Sequence, residues 1–149
     1  MRIQYKHTCI IARDWRRLAD FYEQVLGCTF LPPEKELYGD WVERITGVRG
    51  AHLVGGHLRL PGRGEAGPTL EIYQYRENLP GSSPAANREG LGHLAFEVED
   101  VEQTAQAILH WGGCHVGEIV SFREKEGALR TIAYLADPEG NVVELQSRR

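Results

Sequence analysis

The chain has 149 residues, close to the size of one domain and long enough to bury a core without disulfides or a structural metal. With 17 Lys plus Arg against 21 Asp plus Glu, and no basic stripe interleaved with aromatics, nucleic acid is excluded as an expected partner. The opening "MRIQYK" lacks an apolar leader region and no apolar run nears the roughly 20 residues of a membrane-spanning helix, so a cytoplasmic protein with no membrane partner is expected.

The first expected strand covers residues 4 to 12, with His7, Cys9 and Ile11 on one side and Thr8 and Ile10 on the other. Asp14 is placed as a helix N-cap, and Trp15, Leu18, Tyr22, Val25 and Leu26 recur at helical spacing until Gly27. Three strand-rich stretches follow: "DWVERITGV" (40 to 48), "AHLVGGHLRL" (51 to 60) and "TLEIYQY" (69 to 75). Residues 76 to 90, "RENLPGSSPAANREG", read as a linker because prolines, glycines and small polar residues crowd there. A second series then begins. Residues 91 to 98 alternate as a strand, Asp100 caps, and Val101, Thr104, Ile108 and Trp111 form a helical stripe ending at Gly112 and Gly113. "HVGEIVSF", "LRTIAYLAD" and "NVVELQ" complete the series, with "ADPEGN" (136 to 141) as a tight turn into the last strand.

The two series are copies. Residues 7 to 30 align with 93 to 116, so that His7 falls on His93, Asp14 on Asp100, and Gly27-Cys28 on Gly113-Cys114, 86 residues apart. Glu71 and Glu144 occupy matching settings further on. The first copy is about 13 residues longer, an excess assigned to 32 to 50 or to "PGRGEAGP" (61 to 68). The expected fold is therefore α+β: a single domain of module 1 (1–75), linker (76–90) and module 2 (91–149), each module reading strand, helix, three strands.

Strand alternation sets His93, Ala95 and Glu97 on one face and Leu94, Phe96 and Val98 on the other, under the helix. The same alternation separates Leu70 and Ile72 from Glu71, Tyr73 and Tyr75, and Val143 and Leu145 from Glu144 and Gln146. A lone strand histidine is most often an ordinary hydrogen-bonded residue, and a lone strand glutamate is usually the solvent face of an edge strand. Glu71 and Glu144 stand in otherwise apolar or aromatic stretches, where an unpaired carboxylate is costly to bury. Four such residues at matched places in a repeat point instead to a metal site made by His7, Glu71, His93 and Glu144. Two imidazoles and two carboxylates, with no thiolate, suit a divalent Ni, Co, Mn, Fe or Zn ion and leave open positions for substrate oxygens. The three widely spaced cysteines form no Cys-x-x-Cys and are read as packing residues.

"ADFYEQVLG", "GLGHLAFEVEDVE" and "YLADPEGNVVEL" resemble the vicinal oxygen chelate superfamily, which includes glyoxalase I, epimerases, extradiol dioxygenases and bleomycin resistance proteins. The resemblance implies two βαβββ modules forming an open cup. It implies the four ligands already named, with Glu144 or Glu71 doubling as the base in lyase, isomerase or epimerase chemistry through a metal-bound enediolate. It also implies a small-molecule substrate with two adjacent oxygens, and a homodimer. The alternatives it leaves are a bleomycin-type binding protein and an Fe(II) extradiol-type dioxygenase. Ile11 and Tyr75 stand where bacterial glyoxalase I places its glutathione-binding arginine and asparagine, which disfavours glutathione hemithioacetal. Tyr73, Tyr75, Glu97 and Arg59 are the candidate substrate contacts, with His57 as a further residue of the inner face; Arg59 could fork onto a carboxylate or phosphate.

Overall fold

The computed structural model of the chain describes residues 2–149. It divides into two compact units, the first ending at Pro80 and the second spanning Gly81–Arg149.

The first unit contains β1 (His7–Ile11), α1 (Trp15–Leu26), β2 (Thr29–Tyr38), α2 (Asp40–Thr46), β3 (His52–Arg59) and β4 (Thr69–Tyr75). Its four-stranded sheet has the order β1-β4-β3-β2, with β1 parallel to β4 and the other neighbours antiparallel. Asp14 caps α1 as its spacing predicts, its carboxylate accepting from the Arg17 N–H at 3.2 Å. At the other end Gly27 adopts φ 68°, a left-handed conformation that favours glycine and turns the chain out of the helix. The helix buries Trp15, Leu18, Ala19, Phe21, Tyr22 and Leu26. Ile10, Leu58, Leu70 and Ile72 form the sheet face that these side chains cover. Each large side chain so removed from water contributes about 1.5–3 kcal/mol, and this apolar layer fixes which strand residues point the opposite way.

One expectation fails here. "DWVERITGV" is not a strand: residues 40–46 form α2, and the strand that pairs with β3 lies earlier, at Thr29–Tyr38. Asp40 and Glu43 in the first turn and Arg44 in the last match the helix dipole, and Gly47 at φ 68° ends it. The strand ahead was obscured by Pro32 and Pro33, at which the β2–β3 register shifts between Leu31 and Lys35. α2 has no counterpart in the second unit and accounts for much of the longer first copy.

The second unit contains β5 (Leu94–Glu97), α3 (Val101–His110), β6 (Cys114–His115), β7 (Val120–Arg123), β8 (Leu129–Ala136) and β9 (Val142–Arg148). Its sheet has the order β5-β9-β8-β6, with β7 also on β8, and β5 runs parallel to β9 as β1 does to β4. "HVGEIVSF" is thus a broken strand, β6 and β7, interrupted around Gly117. Asp100 caps α3 by accepting from the Gln103 N–H at 2.8 Å, and the helix buries Val101, Ala105 and Ile108. The buried Phe96, Ala133, Leu135, Val143 and Leu145 make the corresponding sheet face. No helix among the described residues is long and apolar enough to cross a membrane.

Gly55 shows how closely β3 and β4 approach. A Cβ there would lie 2.1 Å from the Ile72 carbonyl oxygen and 2.7 Å from Tyr73 Cδ1, so the Tyr73 ring lies against bare backbone. Gly55→Ala is expected to cost 1–3 kcal/mol, roughly the usual range for overpacking, in a urea titration. Gly117→Ala, in open space, serves as the control and should change stability by less than about 0.5 kcal/mol.

Candidate functional site

In the first unit the strand register stacks the site in rows on the face opposite α1. His7 lies level with Thr69 and Arg59; Cys9 lies level with Glu71 and His57; Ile11 lies level with Tyr73 and Gly55. The Glu71 carboxylate sits between two imidazoles. Its Oε2 is 3.1 Å from His7 Nε2 and its Oε1 is 2.8 Å from His57 Nε2. His57 Nδ1 in turn meets Thr69 Oγ1 at 3.1 Å. Burial lowers the His57 pKa, an effect opposed by Glu71 and assisted by Lys35 and His7.

The second unit repeats the row with one replacement. Ala95 lies level with Glu144, and Glu144 with Tyr134, so Tyr134 takes the place that His57 has in the first unit. His93 stands one residue ahead of β5, and its Nε2 is 2.9 Å from Glu144 Oε2. The Tyr134 ring lies on His93, with centroids 5.0 Å apart and planes tilted by 36°. Both glutamate side chains are only 14% exposed, so the carboxylates depend on imidazoles for polar partners: Glu71 on His7 and His57, Glu144 on His93.

Within each unit, then, the structure brings together the histidine and the glutamate that the repeat pairs: His7 with Glu71, His93 with Glu144. At 3.1 Å and 2.9 Å each pair stands at ordinary hydrogen-bond distance, and its nitrogen and oxygen donors are of the kind that a divalent metal takes. No group of three or more His, Cys, Asp or Glu side chains is arranged around a common ion position among the described residues. The thiol near Glu71 stays protonated: burial, and then Glu71, push the Cys9 pKa up to about 11. Cys28, inside the core, rises to about 12 for the same first reason.

The other candidates are spread along these faces. Tyr73 is 5% exposed and packs with Val42 of α2, Ala51 and Leu53, so its ring serves the packing of this end of the sheet. Burial raises its phenol to about 12. Tyr75 flanks that cluster, half-buried. Arg59 stands level with His7's row, and its buried Nε has no hydrogen-bond partner. Glu97 ends β5, exposed, level with Gln146. Trp41 on α2 is exposed, while His52 pairs with Glu36 at 2.6 Å, away from these rows.

Where the first unit has Leu53 level with Tyr75, the second has Arg130 level with Arg148. Both guanidiniums converge on Glu124: Arg130 Nη1 at 3.0 Å from Oε1 and Arg148 Nε at 2.8 Å from Oε2. Arg130 also donates to the Gln146 side-chain oxygen. Hydrogen bonds from Arg148 and then Arg130 lower the Glu124 pKa below its ordinary value. A depressed carboxylate contributes stability that is complete above the unfolded pKa, near 4.5, and lost as pH falls through the lower folded value. Thermal melts of the wild type and Glu124→Gln should therefore differ most above about pH 5 and draw together as pH falls towards 3. A gap that widens on acidification would contradict this.

A model of the glyoxalase-like domain family matches residues 7–146. No curated protein sequence matches the chain. Among solved structures, a glyoxalase family protein from Bacillus cereus superposes with a TM-score of 0.75 at 18% identity, over 99% of this chain and 94% of that one. A glyoxylase/bleomycin resistance protein/dioxygenase domain from Frankia gives 0.60 at 17%, covering 100% of both chains. A glyoxalase I variant from Zea mays gives 0.63 at 20%, over 95% of this chain and 45% of the longer maize protein. At these identities the structural matches establish the fold.

Proposed function

The chain belongs to the glyoxalase-like domain family of the vicinal oxygen chelate superfamily, and from that premise we propose that it is a divalent-metal-dependent lyase, isomerase or epimerase. Its substrate is a small molecule with two adjacent oxygens. The observation that carries the reading is the repeated pair: in each unit a histidine Nε2 stands about 3 Å from a largely buried glutamate at the same place in the strand register. His7, Glu71, His93 and Glu144 are assigned as the protein's candidate ligands for Ni, Co, Mn, Fe or Zn, His7 beside Glu71 in the first unit and His93 beside Glu144 in the second.

A bound divalent ion supplies positive charge that polarises a carbonyl and acidifies the neighbouring C–H. The remaining work falls to the chain. A carboxylate must take and return the proton on carbon. Glu71 has an imidazole against each oxygen, whereas the contact of Glu144 with His93 is through Oε2, so Glu144 Oε1 is assigned as the proton acceptor. Arg59, level with His7, is assigned to an anionic substituent of the substrate, and Tyr75 and Glu97 are kept as further candidate contacts. A homodimer is proposed on the family resemblance alone.

Metal analysis of untagged protein purified without chelator tests the proposal. About one equivalent of a divalent transition metal is expected, with Glu71→Gln and His93→Ala each weakening rebinding by 10-fold or more, roughly the loss seen when a metal site is disturbed. Less than about a tenth of an equivalent, with no rebinding of added Ni(II), Co(II), Mn(II), Fe(II) or Zn(II), would sink the enzyme reading in favour of a metal-free binding protein.

A further inference from the structure

We infer that His57 is a positioning residue for the metal ligand Glu71, a role that rests on the metal-site reading above. A glutamate on a strand face rotates freely about its last side-chain torsion, which is broad, so the plane of its carboxylate is ordinarily unfixed. Here the neighbouring strand fixes that plane, holding one oxygen and directing the other away. His57 lies level with Glu71 across β3 and β4, and its Nε2 meets Oε1 at 2.8 Å. A carboxylate only accepts, so His57 Nε2 carries the hydrogen. In the neutral ring Nδ1 is then an acceptor, and it finds the Thr69 hydroxyl at 3.1 Å.

The chain of bonds runs from Thr69 through His57 to one oxygen of Glu71, and it presents the other oxygen to His7 Nε2, 3.1 Å away. Glu71 is thereby held as a ligand through Oε2 alone. The ring of His57 is itself fixed: it is half-buried, with the His7 ring edge-on to it at a centroid distance of 6.0 Å. Supporting groups of this kind orient a ligand and are worth about 10–100-fold in metal affinity. The second unit has no equivalent bond to its carboxylate at this position, since Tyr134 lies on the histidine instead. The support is a property of the first unit's row, independent of the repeat.

The test is a titration of chelator-stripped full-length protein with Co(II) or Mn(II), together with the visible spectrum of the Co(II) form. Wild type should bind. His57→Ala should raise Kd about 10–100-fold and alter the Co(II) absorption, with its thermal midpoint close to wild type. His57→Gln, whose amide N–H can donate the same bond to Oε1, should recover binding to within about threefold of wild type. If His57→Ala disturbs folding, Thr69→Val removes the far end of the chain and should weaken binding in the same direction by a smaller factor. An unchanged Kd in His57→Ala, beside a wild type that binds, overturns the positioning role while leaving the metal reading intact. Equal loss in His57→Ala and His57→Gln also overturns it, because the imidazole would then be a ligand itself. A wild type that binds neither ion overturns the metal reading and the positioning role together.

Discussion

The parallel pairing of the first and last strands in each unit is the constraint on which the site depends. β1 beside β4, and β5 beside β9, set the glutamate of the last strand level with the residue two places after the histidine. With side chains alternating across a sheet, that offset puts histidine and glutamate on one face, one row apart. A shift by a single residue would send both carboxylates into the apolar layer under α1 or α3. The buried layers under the two helices therefore do more than stabilise the sheets. They fix the register, and the register brings Nε2 and Oε to about 3 Å in both units.

The same rows show where the two copies have diverged. At the end of the sheet beyond Glu71, the first unit is apolar: Leu53, Ala51 and Tyr73 pack beneath Val42 of α2. At the corresponding rows the second unit carries Arg130, Gln146 and Arg148: both arginines bond Glu124, and Arg130 also bonds Gln146. One unit thus closes this part of its face with a helix and the other with a charged clamp. Beside the carboxylate itself, His57 has been replaced by Tyr134, which changes the support from a hydrogen bond on the glutamate to a ring on the histidine.

Much of this was legible in the sequence because it is local or periodic. The Asp14 and Asp100 caps, the Gly27 stop and most of the apolar stripes follow from residue type and spacing: Trp15, Leu18, Tyr22 and Leu26 are buried on α1 and Val101 and Ile108 on α3, while Val25 and Thr104 are half-buried and Trp111 lies just past the end of α3. The repeat matches His7 with His93 and Glu71 with Glu144, and strand alternation puts them on the face away from the helices; the His–Glu contact within each unit is what the structure adds. What escaped was non-local or unrepeated. α2 lacks a partner in the second copy, and Trp41, Val42 and Ile45 fit a short strand as readily as one helical turn; only packing on Leu53 and Tyr73 decides it. His57 was visible as an inner-face residue, yet its contact with Glu71 depends on the β3–β4 register, which no spacing in the sequence specifies. Comparing the copies hid it further, because the equivalent position holds a tyrosine.

X-ray absorption on the zinc-loaded protein tests the central claim most directly. The expected shell is nitrogen and oxygen alone, at about 2.0–2.2 Å, with imidazole among its ligands. A sulfur scatterer at about 2.3 Å would put a cysteine on the metal, and a shell without imidazole would remove both histidines from it; either result contradicts the assigned site.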